Sequence, residues 1–548
     1  MMMPINFCVS GENGGTVKSI QVDAGTNLIK LQKLLGKHFG IVEPQSILCE
    51  ANGKQLDGVA DILEATGPVT VTINGQDVRD PPGPQGLPLL GSHCGVYPDH
   101  IGNHQRLFDQ YGPVIKTTVM GRTVYHTNDP VISSHVFAET DFFTKDINKA
   151  HPLYGVKSPH AGVFLTNTDT DTWRKAHKFF VPAFSPKAIN HYTPRMQATV
   201  EQSFTIFDEL DRQGSAWNAY NYMLKLSSQL VGQLWLEEDF KHFENIDSPI
   251  HPIPLNIVKL LGLNKKVTTW GDWYQWLPFG DPKRLRDTFH LVGTLVGGVM
   301  KRAPRGEGDV PLQEAAMKTR NLTDYLLRAT DMKGEKMEPE GRQPALVVAL
   351  TAGFVTTSSL LSWLIYGLVA YEGTQQRIYQ ELIDNGMDEN TVMTPEFIGR
   401  LTYLDKYVKE TQRRHTTSFQ PARTARTDII LPGGYKIPKG GVVIPALHHI
   451  HNNPALWDNP TQFDPDRWDT ERVKTRHRAT YMPFAMGPRM CVATNFVARE
   501  VKLFMAKLVF RYDFVREGND PIEYDSMFQT VKPSNLYVNA RKRDTASS

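Results

Sequence analysis

The chain has 548 residues, with 60 basic and 58 acidic side chains, so its formal net charge at pH 7 is only +2. This balance lacks the excess of basic residues that is typical of nucleic-acid-binding proteins, and we expect no nucleic-acid partner. The length favours one large core plus a smaller module. The 4 cysteines are too sparse and too widely spaced for a disulfide framework or a Cys-rich zinc site.

The first 77 residues predict a small α+β domain. The runs INFCVS and TVKSIQV, on either side of the Gly-rich GENGG, predict a β-hairpin. NLIKLQKLLGKHFG then has apolar residues at helical spacing and ends at Gly40, while SILCE-ANGKQLD and PVTVTING supply further strands. This order resembles ubiquitin and its β-grasp relatives. The resemblance implies a ubiquitin-like module that docks a protein partner or solubilises the chain, with a mere folded spacer as the alternative.

A proline-rich connector, DPPGPQGLPLLGS, occupies residues 80–92, and its prolines disfavour a helix. We therefore assign residues 1–77 to the module, residues 78–100 to a linker and residues 101–548 to the main domain. In that domain YGPVIKTTVMGRTVYHTND alternates apolar and polar residues, which predicts paired strands. The rest is mainly helical, with short strand signals such as DIILPGGYKIPKGGVVIP.

Residues 345–371, ALVVALTAGFVTTSSLLSWLIYGLVAY, contain no charge and are long enough to cross a membrane. The alternative is a central helix surrounded by protein. We favour the buried helix, because the run contains the small and polar patch TAGFVTTSS and continues as a helical pattern into EGTQQRIYQELI. The start of the chain, MMMPINFCVSGENGG, lacks the unbroken apolar stretch of a secretion signal.

An isolated cysteine ends the stretch PFAMGPRMC, in which Phe484, Gly487, Arg489 and Cys491 occur as F-x-x-G-x-R-x-C. A helical pattern follows at once, and a thiolate just before a helix start gains from the helix dipole and from free backbone N–H groups. Gly487 permits a tight loop, Phe484 can shield the sulfur, and Arg489 suits a carboxylate. A lone cysteine is more often inert core, but the surrounding pattern favours a ligand.

This stretch resembles the haem-binding loop of the cytochrome P450 family, and the resemblance covers roughly residues 80–540. It implies a mainly α cytochrome P450 fold with a small β lobe, preceded by the small α+β β-grasp domain. Cys491 is then the metal ligand, the axial thiolate of haem b (iron protoporphyrin IX). Phe484, Gly487 and Arg489 become cofactor-binding residues, with a haem propionate as the partner of Arg489.

An E-x-x-R pair, Glu410 and Arg413, lies upstream in KETQRR, and positions i and i+3 share a helix face. The resemblance adds Arg467, in FDPDRW, as the third member of a buried network. Such a network fixes the backbone behind the haem and does no chemistry itself.

Three further residues match positions that hold the haem in the family. Arg423, in PARTARTD, matches a propionate-binding arginine. Trp173 and His177, in TWRKAHKFF, match a Trp-x-x-x-Arg pair on the helix that crosses the propionates, with His in place of Arg. Histidine can donate a hydrogen bond there but need not be charged at neutral pH. An ordinary amphipathic helix with a core tryptophan is the alternative.

The central run carries AGFVTT, which resembles the oxygen-activating A-G-x-(D/E)-T-T segment of the family. Ala352 is thereby predicted to contact the cofactor, and Thr356 and Thr357 are predicted to be catalytic. Val355 stands where the family has an acidic residue and cannot relay a proton. Either water and Thr356 suffice, or the chemistry differs. A second departure, Ala493 in place of Gly, adds only a methyl group.

Three other segments have less specific patterns. HHIHNNP holds three histidines, for which a structural turn is a better interpretation than a metal site. The basic run RVKTRHR, residues 472–478, is either a solvated loop or a docking patch for an acidic electron donor. Residues 251–280 mix apolar and aromatic groups with helix breakers, so they suit a mobile lid, a membrane-touching surface or core packing.

The resemblance implies a monooxygenase that oxidises a hydrophobic small molecule with O2 and electrons from a separate NADPH–cytochrome P450 reductase. One alternative is a haem-thiolate hydroperoxide isomerase or peroxygenase, which needs no reductase. Another is a non-catalytic haem-fold adaptor that acts through the ubiquitin-like module. We expect the protein in the cytoplasm or peripherally on the cytosolic face of the endoplasmic reticulum, without an N-terminal transmembrane anchor.

Overall fold

The computed structural model describes residues 2–11, 17–23, 25–157, 162–418, 421–525, 528 and 530–544. It consists of two compact units, each assembled from several stretches of the chain. Unit one comprises Met1–His151, Gln420–Ala446 and Met486–Arg489. Unit two comprises Pro152–Phe419, Leu447–Ala485 and Met490–Ser548.

The N-terminal module, residues 1–77, is a mixed sheet with helices. Its elements are β1 (Met2–Val9), β2 (Lys18–Asp23), α1 (Leu28–Phe39), β3 (Ile47–Ala51), β4 (Lys54–Leu56), α2 (Val59–Leu63) and β5 (Val69–Ile73). The strand order is β2-β1-β5-β3-β4, with β1 antiparallel to β2 and parallel to β5. The predicted pairing of the first two strands is confirmed, while the Gly-rich turn predicted at residues 12–16 lies outside the described residues. The ubiquitin-like character of the module stays a prediction.

Helix α1 begins and ends where its sequence specifies. The side chain of Asn27 accepts a hydrogen bond from the backbone N–H of Lys30 at 2.9 Å, which satisfies one of the free donors of the first turn. Gly40 follows the last turn with φ +70°, a left-handed conformation that favours glycine. Between these ends Leu31 and Leu35 are buried against the sheet core, as the apolar spacing predicts.

The remaining strands are short. They are β6 (Val114–Val119), β7 (Arg122–Thr127), β8 (Phe143–Thr144), β9 (Trp217–Asn218), β10 (Val310–Pro311), β11 (Ala329–Thr330), β12 (Arg423–Ala425), β13 (Ile429–Leu431), β14 (Tyr435–Ile437), β15 (Val442–Pro445), β16 (Tyr512–Glu517) and β17 (Tyr537–Lys542). In unit one, β6-β7-β15-β12-β8 form a sheet and β13-β14 a hairpin. The strand pair predicted from the alternating segment is confirmed, and the short strand signals of DIILPGGYKIPKGGVVIP form β13, β14 and β15.

Most of the helices that follow the module lie in unit two, and the first three lie in unit one. The helices after the module are α3 (His93–Val96), α4 (His100–Tyr111), α5 (Pro130–Phe137), α6 (Gly162–Leu165), α7 (Asp171–Phe180), α8 (Pro186–Gln202), α9 (Phe204–Arg212), α10 (Ala219–Val231), α11 (Pro252–Thr269), α12 (Asp272–Gln275), α13 (Gly280–Arg302), α14 (Leu312–Lys318), α15 (Leu322–Arg328), α16 (Pro339–Ala370), α17 (Thr374–Asp384), α18 (Pro395–Arg400), α19 (Thr402–Arg414), α20 (Leu447–His451), α21 (Glu471–Thr475) and α22 (Thr494–Arg511).

Helix α16 is the central helix of unit two. It is long and apolar enough to cross a membrane, but 72% of its most apolar window is buried inside the protein. The buried helix predicted for this segment is therefore confirmed. Gly353 lets the helix lie against the ring of Trp235, because a Cβ at that position would come within 2.2 Å of the ring.

We predict that Gly353→Ala destabilises the protein by about 1–3 kcal/mol, the usual effect of overpacking a core. The matched control is Gly399→Ala in α18, an exposed helical glycine with no atom within 4 Å of the added Cβ. Alanine loses less backbone entropy than glycine when the chain folds, so that variant should be as stable as the wild type or slightly more stable. Thermal unfolding followed by circular dichroism measures both. Equal melting temperatures for the two variants would contradict the packing described for Gly353.

Candidate active site

The cysteine loop presents its sulfur to groups that can donate hydrogen bonds. The backbone N–H of Cys491 donates to the carbonyl of Phe484 at 3.0 Å, which closes the loop three residues before α22 begins. Burial raises the pKa of the Cys491 thiol, although the residue is exposed. The backbone N–H of Ala493 and the side chain of Thr494 lower this pKa, and the Thr494 hydroxyl donates to the Cys491 carbonyl at 2.9 Å. The Ala493 N–H is thus a donor of the kind predicted for a thiolate near a helix start.

Gly487 occupies a position that no other residue fits. Its φ is +73°, and a Cβ would lie 2.1 Å from the carbonyl oxygen of Phe137. The predicted tight loop is present, and its reason is this close approach of two backbones. The ring of Phe484 packs partly buried against the core of unit two.

Unit one gathers three basic side chains around one carboxylate. The guanidinium of Arg423 forms an ion pair with Glu139, and both side chains are 2% exposed. Burial, then Arg489 and Arg423, lower the pKa of Lys145 well below its usual value, while Glu139 opposes this effect. Burial and Arg423 lower the pKa of Arg489 to about 9, which leaves it charged at neutral pH. Glu139 also accepts the backbone N–H of Lys145 at 3.2 Å.

This cationic cluster, Lys145, Arg423 and Arg489, fits the two propionates of a haem. Several charged residues shift the pKa values of these three basic groups. Among those that the structure describes, Glu139 is the acidic one. Clustered basic side chains suit an anionic group such as a carboxylate. The sequence analysis identified Arg423 and Arg489 but missed Lys145, because nothing in the pattern around it distinguishes it from a surface lysine.

Glu410, Arg413 and Arg467 meet in the interior of unit two. Glu410 accepts two hydrogen bonds from Arg413 and one from Arg467, each at 2.9 Å. The indole N–H of Trp468 and the backbone N–H of Asp464 also donate to this carboxylate, at 3.2 and 3.0 Å. The structure thus brings the three predicted residues together, and every charge is paired.

The two guanidiniums use their other N–H groups to fix the backbone. Arg413 donates to the carbonyls of His451 and Pro460, at 3.0 and 2.9 Å. Arg467 donates to the carbonyls of Asp458 and Gln462, at 2.7 and 2.8 Å. The network therefore holds the segment that leads into the cysteine loop, which suits the scaffolding role predicted for it.

Helix α16 opens along one narrow stripe. Ala352 and Thr356 are exposed and Val348 is half-buried, at spacings of four residues that place them on one face. The hydroxyl of Thr356 donates to the carbonyl of Ala352 at 2.9 Å. Thr357 lies on the buried face, and its hydroxyl donates to the carbonyl of Gly353. The structure therefore leaves Thr356 as the catalytic candidate and gives Thr357 a packing position.

Val355 is 1% exposed and packs in the apolar core of unit two. A carboxylate at this position would lose its hydration without gaining a charged partner from that core. The departure from the family pattern therefore agrees with the packing around it. The catalytic role of Thr356 stays a prediction.

Trp173 and His177 lie one turn apart on α7, whose first turn is capped by Thr170. Their ring centroids are 4.9 Å apart, and both side chains are half-buried. The helix predicted for TWRKAHKFF is confirmed. The contact of these two residues with a haem stays a prediction.

Residues of the histidine-rich turn and of the basic run 472–478 contact other residues of this chain. His451 contacts the hydroxyl of Thr416 and accepts the backbone N–H of Met482, both at 3.0 Å. No metal-binding group of three or more His, Cys, Asp or Glu side chains occurs in the described part of the chain. In the run 472–478, Arg472 pairs with Asp458. These contacts favour the structural interpretation of both segments.

Comparison with known proteins identifies the family. The protein-family model described as Cytochrome P450 matches residues 81–539 of this chain. The chain belongs to the cytochrome P450 family. It is therefore a haem-thiolate oxidoreductase, with the mainly α fold and small β lobe expected for one.

Individual relatives and structures agree with this assignment. The chain is 44% identical to the cytochrome P450 monooxygenase alnD of Emericella nidulans, over 98% of each chain, so the alignment includes the N-terminal module. It is 26% identical to the bifunctional cytochrome P450/NADPH–P450 reductase ascE of Acremonium egyptiacum, over 84% of this chain and 43% of that one. The crystal structure of the cytochrome P450DA haem domain superimposes with a TM-score of 0.75 at 23% identity, over 86% of this chain and 99% of that one.

A buried acid that the sequence analysis missed lies on the helix after the cysteine loop. Glu500 is 0% exposed in α22, and neither carboxylate oxygen has a hydrogen-bond partner among the described residues. Burial raises the pKa of Glu500 well above its usual value, so the acid is neutral over a wider pH range.

We predict that Glu500→Gln removes a pH dependence of stability. The folded wild-type protein keeps its proton on Glu500 above the ordinary pKa of about 4.3, at which the unfolded chain releases it. Wild-type stability should therefore fall as pH rises from about 4 towards the raised pKa, whereas a glutamine does not titrate. Melting temperatures measured across this range, with Glu500→Met as a second neutral variant, should show both variants gaining on wild type. Parallel curves would refute the proposed protonation state.

Proposed function

We propose that the protein is a monooxygenase that inserts one oxygen atom of O2 into a C–H or C=C bond of a hydrophobic small molecule. The observation that carries this proposal is the exposed Cys491 beside the Ala493 N–H in the cysteine loop. Haem b held through this sulfur would supply an iron that activates O2, because a thiolate ligand pushes electron density towards the iron. The cationic cluster would hold the propionates.

The open stripe of α16 supports an apolar substrate. Val348 and Ala352 offer small hydrocarbon surfaces on a helix that is otherwise enclosed by protein. Pockets for small hydrophobic molecules are lined by such groups, with few polar atoms for orientation. The Thr356 hydroxyl is the polar group of the stripe, where it can hold or pass a proton.

We propose an NADPH–cytochrome P450 reductase as the electron donor. The name of the relative from Acremonium egyptiacum joins a cytochrome P450 and such a reductase in one protein. The basic run 472–478 does not support this partner, because two of its cations are engaged within the chain. Lys474 pairs with Glu471 at 2.8 Å, and the guanidinium of Arg476 lies 3.9 Å from the centre of the Trp457 ring.

Hydroperoxide chemistry is the second candidate, and the apolar surroundings of Val355 favour it. An enzyme that starts from a hydroperoxide receives its O–O bond already reduced and needs no reductase. It also needs fewer protons delivered from the helix than the use of O2 does. The absence of an acidic side chain at position 355 is compatible with that lower demand.

We predict turnover with NADPH, a reductase and O2, and little turnover with cumene hydroperoxide alone. Substrates come from a spectral binding screen of hydrophobic compounds, and products are measured by mass spectrometry. Thr356→Val should lower product formed per NADPH by about 100-fold, because a positioned proton donor contributes at least that much. Thr351→Val, which removes a half-buried hydroxyl bonded to Val347 on the same helix, is the matched control.

Cys491→Ser separates the possible failures of this proposal. The variant should lose the ferrous–CO absorption of a thiolate-bound haem. Persistence of this signature would refute the ligand. Failure of the wild-type chain to bind haem would instead favour a non-catalytic adaptor, and turnover with the hydroperoxide alone would favour the second candidate.

We also propose peripheral attachment to a membrane, in line with the localisation expected from the sequence. Four aromatic side chains between α11 and α13 are exposed: Trp270 40%, Trp273 60%, Trp276 78% and Phe279 63%. Aromatic rings are favoured at the boundary between lipid and water. Arg286 donates to the carbonyls of Gln275 and Leu277, at 2.9 and 2.7 Å, and thereby fixes the segment that carries them.

We predict that the haem-loaded protein floats with vesicles of phosphatidylcholine and phosphatidylserine. The double variant Trp273→Ser/Trp276→Ser should lose this binding, because the rings are the proposed anchors. Met332→Ser is the control, since Met332 is 96% exposed outside the aromatic segment. Vesicle flotation followed by haem absorbance measures the bound fraction. Equal binding by the double variant and the wild type would contradict this attachment.

A further inference from the structure

The hairpin β13–β14 of unit one is bordered on both strands by the beginning of the chain. On one side, Val42 N–H donates to the Ile430 carbonyl at 3.0 Å, and Ile430 N–H donates to the Gly40 carbonyl at 2.9 Å. On the other side, Arg79 N–H donates to the Gly434 carbonyl, and Lys436 N–H donates to the Arg79 carbonyl, both at 2.9 Å. These four backbone hydrogen bonds satisfy edges that a two-stranded hairpin would otherwise expose.

Side chains cross this boundary in both directions. Ile430, from the hairpin, is 5% exposed and belongs to the apolar core of the N-terminal module. Val42, from the segment after α1, packs in the core that contains Ile429, Leu431 and Tyr435. The module and the hairpin therefore share apolar cores, which a flexibly tethered domain would not do.

Two glycines allow the backbones to approach closely. A Cβ at Gly40 would lie 2.2 Å from the carbonyl oxygen of Asp428, and a Cβ at Gly434 would lie 2.6 Å from that of Asp77. Both glycines have positive φ, +70° and +79°. Any side chain at these positions would push the module and the hairpin apart.

The outward face of the module sheet is mostly polar. Asn6, Ser19 and Gln21 are exposed there, and Thr70 is half-buried on the same face. The hydroxyl of Thr70 lies 3.8 Å from the sulfur of Cys8. The apolar contacts of the module beyond its own core thus go to the hairpin, which makes the haem-binding lobe its docking partner.

The hairpin is joined to the cationic cluster through a short connection. Strand β12, which carries Arg423, ends at Ala425, and β13 begins at Ile429. Asp428, in this connection, accepts the backbone N–H of Lys439 at 2.8 Å and places its carbonyl against Gly40. A displacement of the hairpin would therefore act directly on the strand that positions Arg423.

We propose that the N-terminal module is an internal brace: its partner is the hairpin β13–β14 of the same chain, and its docking holds Arg423 in position for a haem propionate. The docking stands on contacts of the described residues alone. The effect on the propionate rests on the proposed haem site. Gly40 and Gly434 are positioning residues in this scheme, because they touch neither cofactor nor substrate.

Hydrogen–deuterium exchange of the full-length protein, with and without haem, tests the docking. Peptides containing the amides of Val42, Arg79, Ile430 and Lys436 should be strongly protected in both forms. Exchange of these amides at the rate of an exposed loop would overturn the brace. Because the haem-free form is measured too, this result does not depend on whether the haem assignment holds.

Haem transfer to an excess of apomyoglobin tests the coupling to Arg423. Gly40→Ala should release haem about tenfold faster than wild type, as is common when a residue behind a cofactor ligand is changed. Gly53→Ala is the matched control, because Gly53 is in the same module with φ +74° and no atom lies within 4 Å of its added Cβ. Both variants carry the same backbone strain, so the difference between them reports the contact with Asp428.

A second pair keeps the test independent of one variant. Gly434→Ala should also release haem faster than Gly440→Ala, since Gly440 has φ +80° and open space around its added Cβ. Faster exchange of peptides spanning residues 423–437 should accompany the faster release. If each variant loses haem at the rate of its control, the module does not position Arg423, and that part of the proposal is refuted.

Discussion

One buried carboxylate organises the part of unit two that precedes the cysteine loop. Glu410 lies out of contact with solvent and accepts hydrogen bonds from Arg413, Arg467 and Trp468. A buried charge that loses one partner is strongly destabilising, so each of these side chains has a single acceptable position. The guanidiniums extend this constraint to the backbone carbonyls of the following segment. The chain therefore enters the loop of Cys491 along a path that the ion network determines.

Burial away from solvent also explains the composition of the central helix. Most of α16 is enclosed by apolar side chains. The hydroxyl groups of Thr356 and Thr357 donate hydrogen bonds to backbone carbonyls of the same helix. In the middle of the helix, a stripe of small residues remains accessible. Thr356 lies on that stripe, whereas Val355 is directed into the core. The stripe is thus an apolar surface with one hydroxyl, and the adjacent buried position does not suit a carboxylate.

Unit one contributes charge and close backbone contacts. Lys145, Arg423 and Arg489 share the carboxylate of Glu139, and this cluster fits an anionic cofactor. Gly487 brings one loop onto the backbone at Phe137, as Gly40 brings the module onto the hairpin. Positive charges held close together repel one another, and a nearby anion offsets this repulsion. The contacts of the module with the hairpin lie in the same unit as this cluster.

The sequence by itself determined the local features: the helix that ends at Gly40, the paired strands, the cysteine loop and the E-x-x-R pair. These features depend on residue spacing and on the conformations that glycine and proline permit, which a linear pattern records. Only the tertiary structure decided which of two adjacent threonines faces outward, because a helix turns by about 100° per residue. It also revealed Lys145, Glu500 and the docking of the module. Burial of a charged group and contacts between distant segments arise from the packed chain and leave no local periodicity.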